Sequence, residues 1–284
     1  MNIDLDLYRH EVRVSTNPLV RLSAIDISPD RPQRTIVFIH GFGGYAGQWV
    51  YQLQKFSLEN RVIALDLRGH GLSDGVRTYV ARWGEYLDDA MAHVQALAND
   101  GLPGPLFVLG HSMGGLIVTR LIQARGPSLP ELRGAVITSP FFGLKMQVPI
   151  WKELAGRALS RFVPTFRLPT DLDLSHLSTD PTVGERYRDD PLVTSTATTR
   201  WFTEATGAHK DVFRDVGDFR LPVYLQHGDD DMIADPQATA RFARECASED
   251  KVFHRWPGMR HELFNERDQA QVLAKTADWL ESKL

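Results

Sequence analysis

A single cysteine, Cys246, stands in a chain of 284 residues. No intramolecular disulfide can form, which fits a reducing compartment. No apolar run approaches the roughly 20 residues that span a membrane. The opening residues, Met1-Asn2-Ile3-Asp4-Leu5-Asp6, put acids where a secretory leader needs a basic end and an apolar stretch. A soluble, cytoplasmic protein is the expectation. A basic excess is also missing: 32 Lys and Arg stand against 36 Asp and Glu, a net charge of −4, so nucleic acid has no electrostatic claim on the surface. Internal repeats and low-complexity tracts are absent, which removes solenoids and linker arrays from consideration. What remains is an ordinary globular composition, 43 % hydrophobic and 24 % charged, long enough for one large α/β domain or two small ones.

Continuous apolar runs recur at Thr35 to Ile39, Val62 to Leu65, Leu106 to Leu109, Gly134 to Ser139 and Pro222 to Gln226. Strands buried on both faces read this way. Helical stripes alternate with them: Trp49, Leu53 and Phe56; then Tyr86, Leu87, Ala90, Met91, Val94 and Leu97; finally Val272, Leu273, Thr276, Ala277 and Leu280. This alternation predicts a mostly parallel sheet with helices on both faces. Residues 11–14 and 20–27, parted by Asn17-Pro18, predict an antiparallel edge hairpin with one wet face. His93 falls off its helix's apolar stripe and is expected at the surface. His70, in a turn crowded with glycine and charge, is expected to bond into its own loop. Cys246, with no neighbouring His, reads as a small packed apolar residue.

The most informative stretch runs from Leu106-Phe107-Val108-Leu109 through Gly110-His111-Ser112-Met113-Gly114 into Gly115-Leu116-Ile117-Val118. A buried strand, Gly-x-Ser-x-Gly and an apolar helix, in that order, describe a sharp elbow that lifts a serine clear of the sheet. The three fixed letters alone would occur by chance in about one chain in ten of this length. The flanking strand and helix supply the rest of the signal. A second glycine turn, His40-Gly41-Phe42-Gly43-Gly44, also follows a buried strand, and its backbone N–H groups are candidates for binding something.

From Pro140 to about Gly207 the rhythm stops. Prolines recur at 149, 164, 169, 181 and 191, and no buried strand appears. Ile150, Trp151, Leu154, Ala155, Ala158, Leu159 and Phe162 form a wide helical stripe. Residues 141–207 are therefore expected to form an inserted helical lid on a core of residues 1–140 and 208–284. The lid would cover the carboxyl ends of the strands, where open α/β sheets bind ligands. Trp151, Leu154 and Leu159 are its candidate substrate contacts, and the same apolar face could touch a membrane surface transiently.

Each chemical candidate follows a buried strand, so all converge on one sheet edge. Ser112, an acid among Asp229, Asp230 and Asp231, and His261 come in the order Ser…Asp…His expected of such folds. A serine hydroxyl is a weak nucleophile, a histidine can take and return its proton, and a carboxylate fixes the imidazole tautomer. The backbone N–H groups of Phe42 and Met113 are the expected oxyanion donors. His261-Glu262-x-x-Asn265 lacks the second histidine of a zinc-protease helix, and the aspartate run lacks calcium-loop spacing. No metal and no organic cofactor is expected.

These residues carry a resemblance. His40-Gly41-Phe42-Gly43, Asp66-Leu67-Arg68-Gly69-His70-Gly71-Leu72-Ser73-Asp74-Gly75, Gly110 to Gly115, Asp190-Pro191-Leu192-Val193, Gly228-x-x-Asp231 and His261-Glu262-Leu263-Phe264-Asn265-Glu266 span almost the whole chain. Together they resemble the α/β-hydrolase superfamily and, within it, the monoacylglycerol lipase/lysophospholipase group of serine aminopeptidase S33-type hydrolases. The resemblance implies the α/β-hydrolase fold: a mostly parallel central sheet of about eight strands, flanking helices and an inserted helical lid. It implies a serine hydrolase that cleaves carboxylic esters through an acyl-enzyme, with a small-molecule ester bearing an apolar acyl chain as substrate. It also implies that Asp231, third after Gly228, is the acid. A short-chain carboxylesterase, a lactonase, a carbon–carbon bond hydrolase, or a non-catalytic ligand-binding protein could use the same fold. Ser112 argues against relatives that use a carboxylate nucleophile on halides or epoxides.

Overall fold

The computed structural model describes residues 5–14, 20–129, 132–145 and 150–284, with the backbone alone for residues 13, 14, 127 and 150–155. The first residues and the Asn17-Pro18 break lie outside the described residues. Eight strands form one sheet in the order β1-β2-β4-β3-β5-β6-β9-β10. They are β1 Arg9–Val14, β2 Val20–Ile27, β3 Thr35–Ile39, β4 Arg61–Leu65, β5 Leu106–His111, β6 Leu132–Thr138, β9 Val223–Gly228 and β10 Lys251–Trp256. β1 and β2 pair antiparallel, as do β2 and β4; every other pairing in this sheet is parallel. β3 and β5 lie side by side at its centre.

The period of two along each strand sorts the core into two layers. Val37, Ile39, Ile63, Leu65, Val108 and Ile137 face one side, where helices α2 Gly84–Asn99, α3 Met113–Arg125, α6 Thr199–Arg214 and α7 Pro236–Glu245 pack. Ile36, Phe38, Val62, Ala64, Phe107, Leu109 and Val136 face the other, against α1 Val50–Phe56 and α8 Gln269–Glu281. Strands with two buried faces need apolar residues at every position, and this is why they read as unbroken runs.

Three details depart from the sequence reading. β2 is no edge strand with a wet face: it lies between β1 and β4 and is buried along nearly its whole length. Its serine is satisfied internally. The Ser23 N–H donates to Ser73 Oγ at 2.8 Å, and the Ser23 hydroxyl accepts from Arg9 at 2.7 Å. His93 is buried, because β1 packs across that face of α2. Burial pushes its imidazole down to about 4, so it is neutral near pH 7. Lastly, position 207 falls inside a helix: α6 runs through it to Arg214, with Trp201, Ala205, Ala208 and Val212 in the first core layer.

Between β6 and β9 lie α4 Ile150–Phe162, α5 Pro181–Asp189 and α6, with a two-stranded sheet of β7 Arg167–Pro169 and β8 Thr196–Thr198. α4 packs against α6, and α6 against α3, which ties this segment to the helix behind the elbow.

The elbow tolerates no side chain at its glycines. A Cβ at Gly114 would lie 2.1 Å from the Ile39 carbonyl oxygen, and one at Gly110 would lie 2.5 Å from the Gly114 carbonyl oxygen. Gly207, exposed within α6, has nothing within 4 Å of the same point. Gly114→Ala is therefore expected to destabilise the protein by about 3 kcal/mol or more, whereas Gly207→Ala stabilises it by about 0.5–1 kcal/mol through helix propensity. Urea unfolding of the two variants checks both signs; a tolerated Gly114→Ala would contradict the packing described.

Candidate active site

Ser112 is the hinge between β5 and α3, at φ 52° and ψ −115°. A residue with a side chain adopts such angles only when its surroundings impose them. Here the Ser112 N–H donates to Thr138 O at 3.0 Å, and its carbonyl accepts from Phe141 N–H at 3.0 Å. The hydroxyl is thereby held at the carboxyl edge of the sheet with 7 % of the residue exposed.

Two loops bring the partners. The turn after β9 carries Asp231, and the turn after β10 carries His261. His261 Nδ1–H donates to Asp231 Oδ2 at 2.7 Å, which leaves Nε2 to accept the Ser112 hydroxyl at 2.9 Å. The three aspartates left open by the sequence separate cleanly. Asp229 is paired with Arg255 at 2.7 Å, and Asp230 is exposed. Asp231 is buried and meets His261.

Asp231 accepts four hydrogen bonds. Besides His261, they come from His227 Nε2 at 2.9 Å, Ile233 N–H at 2.8 Å and Ala234 N–H at 3.0 Å. Burial alone would favour its neutral acid. The charge of His261 and the bonds from both histidines outweigh that and hold the carboxyl well below the usual range. His227 Nδ1 accepts from the Thr239 hydroxyl at 2.8 Å, and burial lowers this imidazole's pKa, keeping it neutral. For His261, burial disfavours the imidazolium, but Asp231 and then Glu262 attract it, and the pKa is raised above 6.5.

Glu262 is a second buried carboxylate that sequence reasoning left without a role. Its Oε1 accepts from His111 Nε2 at 3.0 Å and from the Tyr187 hydroxyl at 2.7 Å, and its Oε2 accepts from Asn265 Nδ2 at 3.0 Å. Burial favours the neutral form, yet His111 and His261 keep it ionised, with its pKa pushed down to about 2. The motif His261-Glu262-x-x-Asn265-Glu266 contained a signal for this cluster. Tyr187, 75 residues earlier, carried none.

The glycine turn after β3 lies against the elbow: a Cβ at Gly41 would sit 3.2 Å from the Ser112 Cβ. His40 Nε2 accepts from Leu67 N–H at 2.9 Å, so its Nδ1–H donates to Gly41 O at 2.7 Å. Burial pushes His40 down to about 4 and His70 to about 3. His70 Nδ1 lies 3.0 Å from Arg68 O, within its own loop. Among the described residues, neither Phe42 N–H nor Met113 N–H donates a hydrogen bond. Phe42 packs against Trp201 of α6, ring centroids 4.1 Å apart and the planes tilted by 43°.

The expected lid contacts are only partly visible. The side chains of Trp151 and Leu154 lie outside the described residues. Leu159 is 38 % exposed and Phe162 78 %, so the carboxyl end of that helical stripe faces outward. Among the described residues no three His, Cys, Asp or Glu side chains cluster as metal ligands would, and no helix is long and apolar enough to cross a membrane.

A family profile described as serine aminopeptidase, S33, matches residues 30–268. The chain is 31 % identical over 260 residues to a monoacylglycerol lipase of Mycolicibacterium smegmatis, covering 90 % of this chain and 91 % of that one. It is 27 % identical over 245 residues to phospholipase YtpA of Bacillus subtilis, covering 86 % of this chain and 93 % of that one. Among solved structures, a monoacylglycerol lipase of Paleococcus ferrophilus superposes with a TM-score of 0.84 at 26 % identity, over 93 % of this chain and 99 % of that one.

The raised pKa of His261 gives a direct test. Its imidazole is expected to titrate above 6.5 by NMR, and Asp231→Asn, which removes the attracting charge, to bring that value down. A titration unchanged by Asp231→Asn would contradict the coupling.

Proposed function

The chain belongs to the serine aminopeptidase S33 family of α/β-hydrolases and is an ester hydrolase; from that premise we propose that it cleaves single-chain lipid esters, monoacylglycerols above all, through an acyl-enzyme on Ser112. The observation that carries this reading is the hydrogen-bonded line from Asp231 through His261 to the Ser112 hydroxyl, at 2.7 and 2.9 Å.

In this reading Ser112 Oγ attacks the ester carbonyl carbon as His261 Nε2 takes the hydroxyl proton. Asp231 stabilises the imidazolium that results. The carbonyl oxygen becomes an oxyanion bound by the N–H groups of Phe42 and Met113, the latter at the start of α3, where the helix dipole favours negative charge. As the tetrahedral intermediate collapses, the bond to the alcohol oxygen breaks and His261 returns its proton to that oxygen. Water, deprotonated by His261, then attacks the acyl-enzyme carbonyl, and Ser112 leaves with the proton restored. No step calls for a metal or an organic cofactor.

The apolar acyl chain is assigned to an insertion, residues 141–207, acting as a lid. The names of the similar proteins, a monoacylglycerol lipase and a phospholipase, support a lipid substrate. So does the outward face of the insertion. Phe162, Val163, Phe166 and Leu168 are exposed on it, an apolar surface suited to transient contact with the lipid phase that holds such substrates.

Two measurements test the proposal. Ser112→Ala should abolish turnover while the protein stays folded, and a fluorophosphonate should label the wild type on Ser112; labelling of another serine would sink the assignment. Each methylene buried contributes about 0.8 kcal/mol, so kcat/KM on glycerol esters should climb with acyl length and then plateau. A flat profile would point instead to a short-chain carboxylesterase.

A further inference from the structure

Asp190-Pro191-Leu192-Val193 is a motif the reaction leaves unused, and it lies in the insertion rather than in the core. Its surroundings give it a task. The Tyr45 hydroxyl donates to Asp190 Oδ2 at 2.8 Å. Asp190 in turn shapes its own loop: Oδ1 accepts from Leu192 N–H at 2.9 Å, and its carbonyl accepts from Val193 N–H at 3.1 Å. The next residue, Thr194, presents its N–H to the Gly43 carbonyl at 3.0 Å.

That last bond begins a relay of peptide groups. The Gly43 carbonyl shares its peptide plane with the Gly44 N–H. Gly44 N–H donates to the Gly41 carbonyl at 3.3 Å. The Gly41 carbonyl shares its plane with the Phe42 N–H, which has no protein partner among the described residues. From the core side the same carbonyl is held by His40 Nδ1–H at 2.7 Å. Hydrogen bonds in series polarise one another, so a donor at the head of the relay strengthens and orients the N–H at its end. Close packing holds the head in register: a Cβ at Gly43, where φ is +74°, would fall 2.3 Å from the Thr194 carbonyl oxygen.

We infer that the insertion, through Asp190 and Thr194, is a positioning element for the Phe42 N–H, with the Tyr45–Asp190 hydrogen bond as its latch. The inference rests on the reading in which Ser112 is the nucleophile and Phe42 an oxyanion donor. Tyr45 and Asp190 touch no reacting atom in it; they act through the turn. The insertion then does more than cover the site, because a substrate that displaces the Asp190–Thr194 loop also loosens the oxyanion donor.

The test uses Tyr45→Phe, Asp190→Ala, their combination and Asp190→Asn, with the Ser112→Ala protein as reference. A long-chain trifluoromethyl ketone serves as probe, since serine addition would turn its carbonyl oxygen into an oxyanion. Tyr45→Phe and Asp190→Ala should each lower kcat about tenfold with KM changed less than twofold, and weaken the ketone by the same factor. That is well below the roughly 10²–10³ lost when an oxyanion donor is removed outright. The double variant should be no worse than either single one, because both break one interaction. Asp190→Asn, which keeps an acceptor oxygen, should retain most activity. A rise in KM alone, additive losses, or unchanged kcat and ketone affinity would overturn the latch. An active Ser112→Ala would overturn the underlying reading instead.

Discussion

The constraint on which the site depends is the approach of the β3 backbone to the start of α3. A side chain at Gly114 would meet the Ile39 carbonyl oxygen at 2.1 Å. Because strand and helix touch there, the chain between β5 and α3 has one path, and Ser112 is forced to φ 52°. Gly41 then rests against Ser112 on one side, and Phe141 bonds to it on the other. The cost of the strained residue is carried by the two apolar layers around it, whose central strands, β3 and β5, flank the elbow.

Around that point the protein buries several ionisable groups, and Asp231 and Glu262 are satisfied locally. Asp231 receives four donors, and Glu262 three. A buried carboxylate without such partners would take up a proton; with them it stays charged. His40, His70 and His227 take the opposite course. Burial lowers their pKa values, and as neutral rings His40 and His227 serve as fixed donor–acceptor bridges, while His70 bonds through Nδ1 alone. His261 alone of these four rings is raised above 6.5; His40, His70 and His227 stay neutral near pH 7.

The segment between β6 and β9 is joined to this network on the His261 side and on the glycine-turn side, as well as at the Asp231 turn. On the His261 side, Tyr187 donates to Glu262, the Leu177 carbonyl accepts from Glu262 N–H at 2.7 Å, and Ser178 and Thr179 bond to Glu266. On the glycine-turn side, Asp190 and Thr194 bond to Tyr45 and Gly43. Polar residues of two motifs, His-Glu-x-x-Asn-Glu and Asp-Pro-Leu-Val, take part in these joints.

Much of this was legible in the sequence, for a local reason. A strand buried on both faces must be apolar throughout, so β3, β4, β5, β6 and β9 announced themselves, and with them the sheet edge that gathers Ser112, Asp231 and His261. The elbow was legible because close backbone approach demands glycine at fixed spacing. What depended on contacts distant in the chain was not. His93 looked exposed because only the packing of β1 covers it, and β2 looked half-wet because its polar partners Ser73 and Arg9 lie elsewhere. No spacing could separate Asp229, Asp230 and Asp231 physically; a resemblance pointed to the third, and the 2.7 Å approach of His261 was needed to distinguish it by geometry. The sequence by itself determined which backbone segments are buried and where the chain must turn, because burial and turning are written in neighbouring residues. Only the tertiary structure decided that Asp231 meets His261, that Glu262 meets His111, and how the segment between β6 and β9 is bonded to the turns beside Ser112, because those pairs are 30 to 151 residues apart and hydrogen-bond geometry alone selects them.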